Sequence, residues 1–218
     1  MKIGVLDIQG SVEEHFDALR RLSQSVAGKA HGVEVSLVKS ADGLSSLDGL
    51  VIPGGESTTL SKLIDRFDLR KGIAGVVERG GVVFGTCAGA ILIGKKVFGG
   101  VARGKIAPDE KVQPLGLIDI DVTRNAYGTQ VDSFETEVEV LFGRGGKVKT
   151  DLIAKVPGVF IRAPKISRVG KGIEVLAEYE DEPVLVRQKF GNGGAVVAGT
   201  FHPELTCDLR IYEEIFIG

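Results

Sequence analysis

Short apolar runs alternate with segments of helical periodicity between residues 3 and 93, and this alternation constrains the fold more than any other feature. The apolar runs predict four buried strands, at Ile3–Ile8, Val33–Val38, Leu50–Ile52 and Gly81–Phe84. Strands that alternate with helices form a mostly parallel sheet covered on both faces. We therefore predict an α/β fold, a three-layer sandwich, whose active site lies at the carboxyl ends of the strands.

Helices are predicted between and after these strands. The first carries Val12, Phe16, Leu19 and Leu22 at helical spacing, with Ser11 placed as its N-terminal cap. Three more are predicted, at Ser57–Asp65, Leu69–Glu78 and Ala88–Ile93.

The rest of the chain is richer in strands. Five are predicted, at Ile118–Val122, Phe134–Val140, Val159–Ile161, Val184–Lys189 and Ala195–Phe201, and a terminal helix follows at Leu209–Phe216. Segments around Gly99–Pro114 and Gly143–Lys155 are typical of surface loops. The sequence contains neither a linker nor an internal repeat, and 218 residues suit one domain, so we predict a single domain over residues 1–218.

Charge and composition exclude several classes of protein. The net charge of −2 gives no field that would attract nucleic acid, and the longest uncharged stretch, Gly80–Gly94, is too short to span a membrane. Two cysteines do not form a disulfide framework, which favours a reducing cytoplasm. Two cysteines and three scattered histidines fit no zinc site. We expect no metal, no cofactor, and neither nucleic acid nor membrane as a partner.

Cys87 lies in the pattern Gly85-Thr86-Cys87-Ala88-Gly89, between an apolar strand and an apolar helix. This is a nucleophile elbow with sulfur in place of oxygen: a sharp turn strains the nucleophile's backbone and requires small neighbours. A helix N-terminus there favours the reactive thiolate, and the N–H of Ala88 would face an oxyanion. The alternative is a buried structural cysteine, which is common.

A cysteine nucleophile needs a base, and the chain has three histidines. His15 lies beside Glu13 and Glu14 and is predicted to be a solvated surface residue. His31, in a Gly/Ala-rich loop, is predicted to lie at the surface too. His202 follows a predicted strand, where the sites of this architecture lie.

Glu204 lies two residues after His202 and would face the same side if the chain stays extended, which Pro203 favours. His202 and Glu204 would then be arranged as in a catalytic triad, in which a carboxylate orients the imidazole. An isolated H-x-E pattern is weak evidence, but the Cys87 elbow strengthens it.

A second strand ends in glycines at Pro53-Gly54-Gly55-Glu56-Ser57. A Gly-Gly peptide rotates freely, so Gly54 and Gly55 are predicted to supply the other half of an oxyanion hole. The alternative is a plain turn in which Glu56 and Ser57 cap a helix. Phosphate binding is disfavoured because no P-loop lysine follows.

Several blocks together resemble the class I glutamine amidotransferases, and within them the glutaminase subunits of pyridoxal 5′-phosphate synthases. The blocks, which span nearly the whole chain, are Leu6–Gly10, Pro53–Thr59, Phe84–Gly89, Arg124–Gly128, Gln130–Glu135, Phe160–Pro164 and Phe201–Thr206. The resemblance implies a flavodoxin-like fold and hydrolysis of L-glutamine to glutamate and ammonia. It also implies a synthase subunit as partner, in a hetero-oligomer with many copies of each.

The resemblance also implies roles for particular residues. It assigns the glutamine contacts to Gly55, Glu56, Ser57, Arg124, Ile161 and Arg162. The predicted oxyanion hole adds Gly54 and Ala88 to the substrate-binding residues. An arginine can bind a carboxylate bidentately, although surface ion pairs would explain Arg124 and Arg162 equally well. The triad would be Cys87, His202 and Glu204, with Cys207 a bystander.

Three segments are longer than in the shorter relatives: Ser23–His31, Val101–Lys111 and Gly143–Lys155. They leave the contact surface for the synthase open. Two other functions stay possible. One is a glutaminase that serves another synthase, such as one for imidazole glycerol phosphate or a nucleotide. The other is a non-catalytic regulatory subunit on the same fold.

Overall fold

The N-terminal half of the chain forms the parallel part of a nine-stranded sheet. A computed structural model describes residues 1–99, 107–124, 133–143 and 152–218. Its first four strands are β1 (Lys2–Leu6), β2 (Glu34–Val38), β3 (Gly49–Ile52) and β4 (Val82–Thr86). They pair in parallel in the order β2-β1-β3-β4. The central strands are apolar along their length because both faces of a parallel sheet are covered.

In the described ranges, seven α-helices flank the strands. They are α1 (Val12–Gln24), α2 (Val26–Ala30), α3 (Ala41–Leu44), α4 (Ser57–Arg66), α5 (Arg70–Glu78), α6 (Ala88–Ile93) and α7 (Arg210–Phe216). The buried side chains of α1 and α7 pack with Val5 and Val51 of the sheet, whereas those of α4, α5 and α6 pack with Leu50 and Ile52. Neighbouring strand residues point to opposite faces, so β3 contributes to both cores. The predicted three-layer α/β sandwich is confirmed.

The C-terminal half extends the same sheet with antiparallel strands. These are β7 (Ser133–Phe142), β8 (Leu152–Ile161), β10 (Glu174–Tyr179), β11 (Glu182–Lys189) and β12 (Ala195–Gly199). β12 pairs in parallel with β4, and the order then runs β12-β11-β10-β7-β8. A smaller sheet contains β5 (Lys96–Phe98), β6 (Ile120–Thr123) and β9 (Lys165–Val169). The carboxyl ends of β3, β4 and β12 therefore lie side by side.

The predicted strands and helices are all present, with ends shifted by a few residues; β8 differs most, beginning at Leu152 rather than Val159. The prediction of a loop at 143–155 is therefore wrong from Leu152 onward, and residues 144–151 lie outside the described part. In the other predicted loop, Val112 is buried, and residues 100–106 are likewise not described. The longer segment Ser23–His31 contains α2.

Two further expectations concern the whole chain. Across the described ranges, no helix is long and apolar enough to cross a membrane. One sheet runs through both halves, and the single domain over residues 1–218 stays a prediction.

Candidate active site

Cys87 forms a strained turn between β4 and α6. Its φ of +46° and ψ of −103° lie where non-glycine residues are rare. The turn fits because its neighbours lack side chains: a Cβ on Gly85 would lie 2.6 Å from the backbone of Gly89, and one on Gly89 would lie 2.0 Å from the Ile52 carbonyl oxygen. The backbone N–H of Cys87 donates to the Gly199 carbonyl of β12 at 2.9 Å. The predicted elbow is thus present.

His202 follows β12 and is held from two sides. Its backbone N–H donates to the Val159 carbonyl of β8 at 2.8 Å. Its Nδ1 lies 2.7 Å from Oε1 of Glu204, and both side chains are buried. The sequence suggested an extended chain here, but Pro203–Leu205 form a 3-10 turn instead. This turn brings the carboxylate back to the imidazole. The predicted contact exists, but for a different backbone reason.

The surroundings of His202 favour its protonated form. Burial would lower the pKa of the imidazole, but the neighbouring Cys87 and Glu204 outweigh burial and raise this pKa to about 10. Nε2 is buried and makes no hydrogen bond with any residue that the structure describes. Nε2 is therefore free to exchange a proton with a reacting group.

Glu204 is ionised although it is buried. Burial acts to raise its pKa, but the imidazoles of His15 and His202 together lower it below its ordinary value. Its Oε1 also accepts a hydrogen bond from Ser11 Oγ at 2.8 Å. Ser11 was predicted to cap α1, but its side chain makes no capping hydrogen bond. The hydroxyl binds the triad carboxylate instead.

The position of His15 contradicts the prediction that this residue is solvated at the surface. Its side chain is fully buried and lies against Thr86, Tyr212 and Glu204. The sequence did hold a signal, because positions 12, 15, 19 and 22 recur at three- and four-residue spacing and so share one helix face. The adjacent Glu13 and Glu14 led to the prediction of a polar face, so this signal was not used. His31, by contrast, is exposed as predicted.

The Gly54–Gly55 peptide adjoins the nucleophile. A Cβ on Gly54 would lie 2.7 Å from His202 Cε1 and 3.3 Å from Cys87 Cβ, so only glycine fits. The Gly54 carbonyl accepts a hydrogen bond from the backbone N–H of Ser11 at 3.1 Å. The Gly55 N–H points the opposite way across this trans peptide.

Gln9, which the sequence placed in the block Leu6–Gly10 without a role, contacts the glycine turn. Its side-chain oxygen accepts a hydrogen bond from the Glu56 N–H at 3.2 Å, and the amide covers the Cα of Gly55. Gln9 therefore helps to fix the conformation of the glycine turn.

Glu56 caps α4, the alternative role considered for it. Its two carboxylate oxygens accept the backbone N–H groups of Thr58 at 3.0 Å and Thr59 at 2.7 Å. Slight burial acts to raise its pKa, but these hydrogen bonds lower it to about 2. Arg124 donates to Glu56 at 3.2 Å and to Asp109 at 2.6 Å. Arg124 is thus part of an ion-pair cluster at the rim of the site.

We expect Glu56→Ala to lower the free energy of unfolding by about 1 kcal/mol, the usual value of a helix cap. The ionised group has a folded pKa below its unfolded value of 4.5. The loss is therefore largest above that value and disappears as the pH falls toward 2. Urea unfolding at several pH values measures it, with the exposed Glu13→Ala as control. An equal loss in both variants would contradict the capping role.

A cavity of about 370 Å³ opens beside Cys87. Its lining residues are Gly55, Glu56, Ser57, Cys87, Ile91, Arg124, Ile161, Arg162, Pro164 and His202. It thus brings together most of the residues named from the sequence, and Gly54 and Ala88 adjoin it in the chain. Ile91 and Pro164 were not foreseen. A depression of similar volume lies on β7, β8 and β10, and the residues described as lining it include no cysteine or histidine.

Arg162 follows the strand β8, which forms one wall of the cavity. It lies directly after β8, with a φ of +45°, and is exposed. Within the described ranges it makes no ion pair, unlike Arg124. Its guanidinium is therefore available for an anionic ligand.

Residues 125–132, which carry two blocks of the resemblance, lie outside the described residues. Among the residues described, no group of three or more His, Cys, Asp or Glu could hold a metal ion. Cys207 is a free, exposed thiol.

Comparison with known proteins shows the family of the chain. The model of the SNO glutamine amidotransferase family matches residues 5–218. The chain belongs to this family. It is 42% identical to the pyridoxal 5′-phosphate synthase subunit PdxT of Thermotoga petrophila, over 97% of this chain and 96% of the relative. It is 44% identical to the PdxT subunit of Oenococcus oeni, over 98% and 94%.

Solved structures show the same fold. A crystal structure described as a glutamine amidotransferase is 41% identical, covers 97% of this chain and 95% of its own, and has a TM-score of 0.75. PurLQS from Thermotoga maritima is 15% identical with a TM-score of 0.68, over 98% of this chain and 96% of its own. The latter likeness concerns the fold alone.

Proposed function

We propose that this protein hydrolyses L-glutamine to L-glutamate and ammonia and delivers the ammonia to a pyridoxal 5′-phosphate synthase subunit. One observation carries the proposal: a strained cysteine and a buried histidine, which a buried carboxylate holds from behind, line one cavity in a member of a glutamine amidotransferase family. Cys87, His202 and Glu204 are the triad in this proposal.

The reaction proceeds through a thioester. The Cys87 thiolate attacks the side-chain amide carbon of glutamine, and the N–H groups of Ala88 and Gly55 bind the oxyanion. His202 Nε2 gives its proton to the departing ammonia. It then takes a proton from water, which attacks the thioester and releases glutamate. Glu204 holds the imidazole through Nδ1 in both steps.

The rim residues bind the amino-acid end of the substrate. Arg162, which makes no ion pair within the described ranges, offers its donors to the α-carboxylate, and Arg124 lies at the same rim beside Glu56, Asp109 and Thr58. Glu56 and Ser57 line the cavity at the start of α4. Ile161 contributes an apolar wall. The cavity of about 370 Å³ has room for one amino acid.

The partner follows from the relatives, which are named as synthase subunits. A glutaminase that feeds a separate subunit must pass its ammonia on directly, since free ammonia would be lost to water. A hetero-oligomer with many copies of each subunit stays a prediction. So does a cytoplasmic location, which the two free cysteines favour.

A glutaminase assay with and without the synthase subunit tests the proposal. We expect equimolar glutamate and ammonia, released faster when the synthase is present. Absence of release under both conditions would contradict the activity. Equal rates would leave the activity intact but remove any need for activation by the partner.

A glutaminase for another synthase is the main alternative. Co-purification from the native cell distinguishes the two, because the proposal expects the pyridoxal phosphate synthase subunit to be recovered. Recovery of an imidazole glycerol phosphate or nucleotide synthase instead would overturn the choice of partner and keep the chemistry.

A further inference from the structure

A second histidine lies beside the triad carboxylate, and no step of the mechanism uses it. Nε2 of His15 lies 2.9 Å from Thr86 Oγ1 and 3.4 Å from Glu204 Oε1. Nδ1 lies 2.8 Å from the Tyr212 hydroxyl. Thr86 directly precedes Cys87, so His15 joins the end of the nucleophile's strand to the carboxylate that orients His202.

The surroundings of His15 select one tautomer. A carboxylate oxygen only accepts hydrogen bonds, so a lone pair on Nε2 that faced Glu204 would be repelled. Nε2 therefore carries the proton and donates it to Thr86 Oγ1 at 2.9 Å, while Glu204 Oε1 lies beside this N–H at 3.4 Å. Nδ1 is then the acceptor, and Tyr212 donates its hydroxyl proton to it. Burial raises the pKa of Tyr212 well above its ordinary value, so this hydroxyl stays a donor.

His15 is also uncharged at neutral pH. Full burial lowers its pKa to about 4, although Glu204 and Glu14 act to raise it, and His202 lowers it further. The charged or titratable groups around this cluster are Glu14 and Arg21 of α1, Tyr212 of α7, and His202 and Glu204 after β12. A neutral donor orients the carboxylate without adding a cation that would compete with the imidazolium of His202.

We propose that His15 is a positioning residue whose Nε2–H bonds Thr86 and faces Glu204, in the tautomer that this carboxylate selects. It thereby fixes the orientation of His202 toward Cys87. The inference rests on the proposed glutaminase activity and adds two residues, His15 and Tyr212, that do not touch the substrate. Its signature is a change in kcat and in pH dependence, because the cavity that binds glutamine is untouched.

Three variants test the proposal in the full-length protein assayed with its synthase subunit. We expect His15→Leu to lower kcat about tenfold, the effect of one lost hydrogen bond, with KM for glutamine within about twofold. Tyr212→Phe, which removes one hydroxyl, lowers kcat about threefold. His15→Gln recovers part of the loss because its amide N–H can replace Nε2–H.

The pH profile separates positioning from a general structural effect. Without the donor, Glu204 is protonated more easily, so the acid limb of kcat/KM moves to higher pH by about half a unit or more in His15→Leu and Tyr212→Phe. His31→Gln and Tyr179→Phe are the matched controls and leave the limb unchanged. An unshifted limb with wild-type kcat in both test variants would overturn the proposal.

A second variant and a second readout keep the test decisive. If His15→Leu does not fold, Tyr212→Phe decides alone. Alkylation of Cys87 by iodoacetamide, read by peptide mass spectrometry with Cys207 as internal reference, needs no turnover and is expected to slow in the test variants. A wild-type protein without glutaminase activity would overturn the proposed function. Unchanged alkylation of Cys87 would overturn the role of His15.

Discussion

Replacement of Cys87 by alanine abolishes glutamine hydrolysis, with kcat expected to fall by at least about 10³-fold. The variant has no atom that can form the thioester, and water attacks an amide slowly without it. The cavity keeps its other lining groups, so glutamine binding stays measurable by calorimetry. The measurement is glutamate release with and without the synthase subunit.

Cys207→Ala is the matched control for this variant. Cys207 is exposed and follows the triad, so its loss leaves kcat unchanged. Hydrolysis at the wild-type rate by Cys87→Ala would remove the nucleophile from the proposed mechanism. Cys207→Ala, by contrast, is expected to hydrolyse glutamine at the wild-type rate.

Gly89→Ala has the largest expected effect on the fold around the site. The added Cβ would lie 2.0 Å from the Ile52 carbonyl oxygen, a backbone atom that cannot move without shifting β3. We expect a loss of more than about 3 kcal/mol in the free energy of unfolding. Glutaminase activity falls with it, because α6 and β3 position the nucleophile and the glycine turn.

Gly191→Ala is the matched control, since a Cβ there meets no atom within 4 Å and its φ is not positive. Its stability stays within about 0.5 kcal/mol of the wild type. Urea unfolding of both variants compares them directly. Similar stabilities would show that the packing of α6 on β3 does not require glycine at position 89.

The sequence predicted the parts of the site that are local in the chain. The Cys87 elbow needs a strand, a turn and a helix in succession, and each leaves a clear pattern of apolar residues and glycines. Glu204 is two residues from His202, so their contact could also be predicted from neighbouring positions in the chain. Only its backbone path, a 3-10 turn, was misjudged, because a residue before proline usually stays extended.

The parts that failed depend on contacts between distant segments. Thr86 and Tyr212 lie 71 and 197 residues from His15, so its burial against them leaves only a weak periodic signal in α1. Ser11 had the residue type of a cap, but the tertiary contact with Glu204, 193 residues away, takes its hydroxyl. Local propensity is overridden where such a partner is available.

The short strands β5, β9 and β10 were missed for a related reason. β9 and β10 carry polar residues, and both have irregular pairing that interrupts the two-residue alternation. β5 contains only three residues. Strands of this kind are stabilised by their neighbours rather than by their own pattern.

Labelling by a chloroketone analogue of L-glutamine tests the central claim most directly. The claim is that Cys87 is a nucleophile in a glutamine site. Peptide mass spectrometry is expected to find one adduct, on Cys87, whose formation L-glutamine slows. Cys207 stays unmodified at the same reagent concentration. An unmodified Cys87, or an adduct that L-glutamine does not prevent, would contradict the account.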